Sequence, residues 1–446
     1  LVTVPLQVYQ FKDVVTLDLS YNKIARITPD IADMRSLEVL LVKENLIKSL
    51  PLKMASLVKL RRADFSNNRL VKAVPEVLLG MNNLEELDLS GNQLTTFPEK
   101  PRLKRVTKLN LSRNRFVSFP KAVLGMRALI ELDVSHNELP FLPRFILDLK
   151  SLEVLDASAN KLRRVSDGPC HLSKLRRINL SQNEFQSVPK IVSLLKGVED
   201  IDISNNQMAD WIVEGKIYGA TSVKRLKMSD NRFETLPEIV EKLERLEILD
   251  ASNNAIKEMP YELECTKRLR KLNLAGNKFV QIPAVVLSLV VLEELDMSNN
   301  HIADVAEEEC LMKRLKKVNV ERNCLTSIPA FLLQRSKLIE LDISDNKLTL
   351  KGIKGRKRLK KVQLRNNQFE AFPKELTLLH ELEELDLGEN DIDWLPVDLK
   401  FLSKLRVLLV DGNNIEALPN AILEMAGLTV LTVKDNPLRQ PPIDVC

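Results

Sequence analysis

The sequence predicts an α/β solenoid: a curved horseshoe with a parallel β-sheet on its concave face and short helices on its convex face. Three observations predict it. Asparagine recurs at nineteen places along the 446 residues, from Asn22 to Asn436, with a mean spacing of 23 residues. Each asparagine closes the frame L-x-x-L-x-L-x-x-N-x-L, as in Leu84, Leu87, Leu89, Asn92 and Leu94. A further apolar residue followed by proline comes next in many copies, Phe97-Pro98 in that one.

Each element of the frame has a physical reading. Leu87 and Leu89 alternate with polar neighbours, so one face of a short strand is buried and the other wet. Every repeat returns to its own starting point, so successive strands pair in parallel. The asparagine stands where the chain leaves the strand, and its amide is placed to satisfy backbone groups of the turn. An unpaired buried group there would cost about 1–3 kcal/mol. The proline opens a short helical segment, as in "LPEIVEKLERLEIL" from Leu236, and suits its first helical position. A stacked array grows without a new core, so residues 1–446 read as one continuous array, truncated at both ends, and not as two or three globular domains.

This frame, Leu84 to Leu94 and its eighteen other copies, resembles that of the leucine-rich repeat family, and the resemblance covers essentially the whole chain. The resemblance implies a monomeric scaffold within a larger protein, binding partner proteins on its concave face and edges. The last frame, "DNPLRQPPIDVC", matches at Asn436, Pro437, Leu438, Pro441 and Pro442 the ending of several intracellular leucine-rich repeat proteins. These are the Ras-group type and those carrying a death domain or a Roc GTPase domain. That likeness implies an intracellular signalling role and a further helix or domain after Cys446.

The residues expected to face the concave side lie seven, six, four and two places before each asparagine, and their charge alternates. The Asn300 repeat has Glu293, Glu294 and Asp296; its neighbours have Arg270, Lys271 and Asn273 on one side and Lys316, Lys317 and Asn319 on the other. Strands lie about 4.8 Å apart, so alternating rows pair where identical rows would repel. The alternation reads first as an intramolecular ladder, and second as a striped surface for a striped partner.

Composition excludes several classes. Charged residues are 28% and the net charge is +5, which gives no whole-molecule field toward nucleic acid. No apolar run approaches the roughly 20 residues of a membrane span. The four histidines, His136, His171, His301 and His380, have no partner at metal-ligand spacing, and no nucleophilic triad or phosphate loop appears. No cofactor and no enzymatic activity are expected. The five cysteines are dispersed and read as free thiols of a reducing compartment. The sequons at Asn110 and Asn179 fall within concave strands, where a glycan would block the face. A cytoplasmic location follows as the expectation; the alternative is an extracellular or cell-surface, receptor-type ligand-binding array.

Binding sites in a regular array are expected where regularity fails. Concave positions turn apolar at Val15, Val39 and Leu41 near one end and at Val407, Leu409 and Val430 near the other. Trp394 stands four residues after its asparagine, where other repeats hold Ser49, Thr96 or Ser118, and reads as a contact anchor or as a ring lying flat on its own repeat. Trp211 occupies a slot held elsewhere by leucine or phenylalanine and reads as core. The run "KGIKGRKRLKK" contributes Lys351, Lys354, Arg356, Lys357 and Arg358, either a solvated turn or a patch for an acidic partner.

Overall fold

The computed structural model describes residues 1–99, 102–211, 220–305, 309–333, 336–349 and 358–439. They fall into two compact units, Leu1–Val223 and Lys224–Cys446. In the first, parallel strands run from Thr16–Asp18 and Val39–Leu41 to Arg177–Asn179 and Asp200–Asp202, each paired with the next. In the second they run from Arg225–Lys227 and Ile248–Asp250 to Val407–Leu409 and Val430–Thr432. Each strand is three residues long and occupies the expected place before its asparagine. The expected leucine-rich repeat solenoid is therefore the fold.

The core follows from the frame. In the Asn300 repeat Leu292, Leu295, Met297 and Ile302 are all fully buried, while Glu294 and Asp296 flank Leu295 on the open face. Fully burying such a side chain is worth about 1.5–3 kcal/mol. Trp211 is buried as expected, and its indole N–H donates to Ser193 Oγ at 3.2 Å.

The asparagine does more than close its own turn. Asn277 Nδ2 lies 3.0 Å from the carbonyls of Leu274 and Ala251 and 3.2 Å from that of Ala275, and Asn277 Oδ1 accepts from the Ile256 amide at 3.0 Å. Two of these four groups, Ala251 and Ile256, belong to the preceding repeat. One buried side chain thus ties two repeats and satisfies the Ile256 amide, which would otherwise be unpaired; the three carbonyls are shared with Asn254 Nδ2, Asn300 Nδ2 and the Asn253 amide. The residue before the asparagine turns left-handed, at φ 64° in Gly276 and φ 54° in Asn299, which carries the chain from strand into turn.

Three details differ from expectation. The segments opposite the sheet are mostly single 3₁₀ turns, such as Lys374–Leu378 and Val397–Phe401, with short α-turns at Glu76–Leu79, Lys190–Leu194, Ala284–Leu287 and Ala330–Leu333. Proline mostly stands one residue earlier than expected, at the N-cap. There its carbonyl accepts the first turn's bond, as Leu78 N–H to Pro75 O at 3.0 Å shows, and its missing N–H costs nothing. Two small parallel ladders were not anticipated: Val71–Ala73 with Gln93–Thr96, and Gln281–Ile282 with Asp304–Val305. They add a second pairing line beside the main sheet.

Candidate functional site on the sheet face

The open face of each sheet is the candidate interface. Strand pairing fixes which side chains stack: Lys271, Glu294, Lys317, Glu340, Lys361 and Glu384 lie in one register column, and Asn273, Asp296, Asn319, Asp342, Gln363 and Asp386 in another. The first column is a ladder of ion pairs. Lys271 meets Glu294 at 2.8 Å, Lys317 meets Glu340 at 2.8 Å and Lys361 meets Glu384 at 3.1 Å. One place upstream, Lys316 meets Glu293 at 2.6 Å and Lys360 meets Glu383 at 2.7 Å. The Lys316 bond holds the Glu293 carboxyl below its usual range, and the Glu340 bond raises the Lys317 ammonium.

In the first unit Arg61 pairs with Glu85 at 2.9 Å, Arg62 with Glu86 at 3.3 Å and Lys108 with Glu131 at 3.1 Å. The alternation then breaks. Glu131 faces Val154, and Asp133 lies in register with Asp156. Burial raises the Asp133 carboxyl against the lowering effect of its Ser135 hydrogen bonds, and Asp156 raises it further. Asp88 is raised by burial in the same way, with Asp64 in register beside it.

The sequence hid one element of this face: the aspartate and the serine two places on form a cap. Ser298 donates from its amide at 2.9 Å and its hydroxyl at 2.7 Å to Asp296 Oδ1, and Asn319 Nδ2 donates to Asp296 Oδ2 at 3.2 Å. The recurring "LDxS" was the available signal, and serine there is more than a small strand-edge residue. It fixes the carboxylate that the groove presents.

The expected contact residues separate into three places. Val407 and Val430 are register partners on adjacent strands; Val407 is half-buried and Val430 42% exposed, with Leu409 half-buried beside Thr432. Trp394 is not in a strand. It lies past the Asn390 turn, two residues before Pro396, 42% exposed, with Lys374 Nζ 5.4 Å from its ring centroid. It therefore marks a lateral edge, and the matching places in the flanking repeats hold Ala371 and Ala417. Near the other end Val39 and Leu41 are half-buried on their strand, and Val15, 47% exposed, precedes the neighbouring one. Of the basic run, Lys351, Lys354, Arg356 and Lys357 lie outside the described residues, and Arg358 is exposed in a turn.

Among the described residues no group of acids, histidines and cysteines could hold a metal ion, and no helix is long and apolar enough to cross a membrane. Cys170, Cys265, Cys310 and Cys324 form no disulfide, and Cys446 lies outside the described residues.

Comparison with known proteins agrees with this geometry. Models described as "Leucine rich repeat" match residues 104–162 and 357–415, and further ones match 83–101, 290–306 and 335–355. Over 106 residues, 23% of this chain and 8% of the relative, the sequence is 36% identical to "Protein flightless-1 homolog" of Caenorhabditis elegans. The chain thus spans only a small part of such a curated relative. Among solved structures, the leucine-rich repeat protein LIC12759 of Leptospira interrogans aligns at 26% identity and a TM-score of 0.65, covering 97% of this chain and 92% of that one. YopM of Yersinia enterocolitica aligns at 23% identity and a TM-score of 0.70, covering 97% and 90%, a likeness of fold.

Proposed function

We propose, from the premise that this chain is a leucine-rich repeat protein, that it is a protein-binding scaffold of intracellular signalling. Partners dock on the sheet face and its edges, the array acts as a monomeric module of a larger protein, and residues 1–446 function as one continuous array. The observation that carries this reading is the change of surface along the second unit. Paired charges occupy the face through Glu384, and then Val407 and Val430 stand in register with Trp394 exposed on the edge of the repeat before them. Exposed apolar groups gathered on one side of a soluble protein commonly mark contact surfaces, and tryptophan is enriched among their anchors.

A cytoplasmic setting suits this reading. Its support is the dispersed thiols and the two sequons, Asn110 and Asn179, whose amides already donate to Asp88 and Asp156 at 3.1 Å across the sheet.

The test is capture of partners from cell extract by the intact chain, followed by calorimetry with each recovered protein. Trp394→Ala and Leu409→Glu should weaken at least one partner strongly. Unchanged affinity for every partner would reject this surface, and the Val15, Val39 and Leu41 end would be tried next. Glycans found on Asn110 or Asn179 of the native protein would instead place the chain outside the cytoplasm.

A further inference from the structure

We propose that the sheet face of the second unit receives an extended basic segment of a partner protein, in polyproline-II conformation with a cationic side chain at every third residue. This rests on the reading that the sheet face binds protein and specifies what it binds.

The charge left over on this face is periodic. The lysine–glutamate column is internally neutralised by its ion pairs. The neighbouring column is not, because aspartate alternates there with a neutral amide. Asp250, Asp296, Asp342 and Asp386 recur on every second strand, separated by Asn273, Asn319 and Gln363. Among the described residues, Asp250, Asp296 and Asp342 have no ion pair, and Asp386 has Arg365 at 4.0 Å. Each aspartate uses Oδ1 on a local donor: Ser252 Oγ at 2.7 Å for Asp250, Ser298 Oγ at 2.7 Å for Asp296, the Ser344 amide at 3.0 Å for Asp342 and the Gly388 amide at 2.9 Å for Asp386; Asp296 Oδ2 also accepts from Asn319 Nδ2 at 3.2 Å. Asp250, Asp296 and Asp342 are thereby held in place without an ion pair. Three of them, Asp250, Asp296 and Asp342, line a groove of about 440 Å³ that continues to Gln363.

The spacing selects the conformation of the occupant. Every second strand recurs at about 9.6 Å. A polyproline-II segment crossing the strands repeats each face after three residues, about 9.3 Å. Over three intervals the mismatch is about 0.9 Å, within the reach of a flexible lysine stem. An α-helix returns to nearly the same face after seven residues, about 10.5 Å, and drifts about 2.7 Å over the same span. A β-strand presents one face at about 6.7 or 13.4 Å and fits neither interval. The polyproline-II form also makes no internal hydrogen bonds and leaves its backbone open to the amides that separate the aspartates.

The experiment compares two labelled peptides of identical composition by fluorescence anisotropy against the full chain. One is four Pro-Pro-Lys units; the other is four Pro-Lys units followed by four prolines. The three-residue spacing should bind about tenfold more tightly, a difference of about 1.4 kcal/mol. Combining Asp296→Asn with Asp342→Asn should abolish that preference while the chain retains its cooperative unfolding. A four-unit Pro-Pro-Glu peptide should not bind. Equal affinity for the two isomers, no binding of either, or a preference untouched by the substitutions would overturn the proposal. If it falls while sheet-face variants still lose partners, the protein-binding reading stands. If sheet-face variants lose no partner, the broader reading falls too.

Discussion

Glu293 and Glu294 are consecutive in sequence and bind in opposite directions: Glu293 takes Lys316 of the following repeat at 2.6 Å, and Glu294 takes Lys271 of the preceding one at 2.8 Å. One acidic row is therefore clamped from both sides. Replacing Glu293, Glu294 and Asp296 together by lysine should lower stability by about 1–3 kcal/mol, since exposed pairs are individually weak but two ion pairs become repulsive and the bonds of Asp296 to Ser298 and Asn319 are lost. Denaturant unfolding measures it. An unchanged midpoint would remove the structural account of the ladder.

Asn277→Ala should cost more than any single ladder residue. It strands the buried Ile256 amide, while the carbonyls of Ala251, Leu274 and Ala275 keep Asn254 Nδ2, Asn300 Nδ2 and the Asn253 amide as donors. A loss of about 1–3 kcal/mol is expected, because one buried backbone donor is left unpaired. Asn414→Ala, at an exposed position one residue past an equivalent asparagine, should be nearly neutral in the same assay.

Asp133→Asn should stabilise the protein at neutral pH. Burial raises this carboxyl above its unfolded value, so the folded state holds the proton longer. Stability from this site is therefore greatest at low pH and is lost as pH rises from the unfolded value through the folded one. Asparagine needs no proton, and the chain already uses Asn110 and Asn179 in equivalent places, with Ser112 and Ser181 amides donating to them at 3.0 Å. The gain over the parent should shrink on acidification. A variant less stable than the parent at neutral pH would contradict the burial argument.

Trp394→Ala should reduce partner affinity by about 2 kcal/mol or more if the ring is an anchor, with little effect on folding. Its neighbour supplies a control. Lys374→Ala removes the cation over the ring without removing the ring, and should change affinity less. Calorimetry against a captured partner separates the two.

The thiols should react in an order set by burial. Exposed Cys265 should be alkylated first and buried Cys310 last, with Cys170 slowed because burial pushes its thiol up. Under denaturing, non-reducing conditions all five cysteines of the sequence should label. Fewer would count against a reducing compartment.

Much of this was legible in the sequence because the repeat forces it. A strand with Leu295 buried and Glu294 and Asp296 open shows both its core and its surface in three letters. Parallel stacking then puts matching positions side by side, so the ion pair of Lys271 with Glu294 could be read by alignment alone. What was not legible depends on the turns opposite the sheet. Trp394 stands out in the sequence by its slot alone; that Lys374, at the start of a 3₁₀ turn twenty residues earlier, lies over its ring depends on those turns. The raised carboxyls of Asp88 and Asp133 also escaped, because depth on the sheet face depends on the side chains around each acid and not on its place in the frame.

The asparagine joints and the charge rows impose different rules on copy number. Asn277 and Asn300 make the same four kinds of bond to their own and the preceding repeat, so deleting one copy leaves every joint a valid partner. The rows do not permit it. Removing the Lys317 strand would lay Glu294 against Glu340, whereas removing Lys317 and Glu340 together would restore a lysine, Lys361, beside Glu294. Gene-level gain or loss in this segment should therefore be tolerated in even numbers of repeats, and the heritable module is the pair.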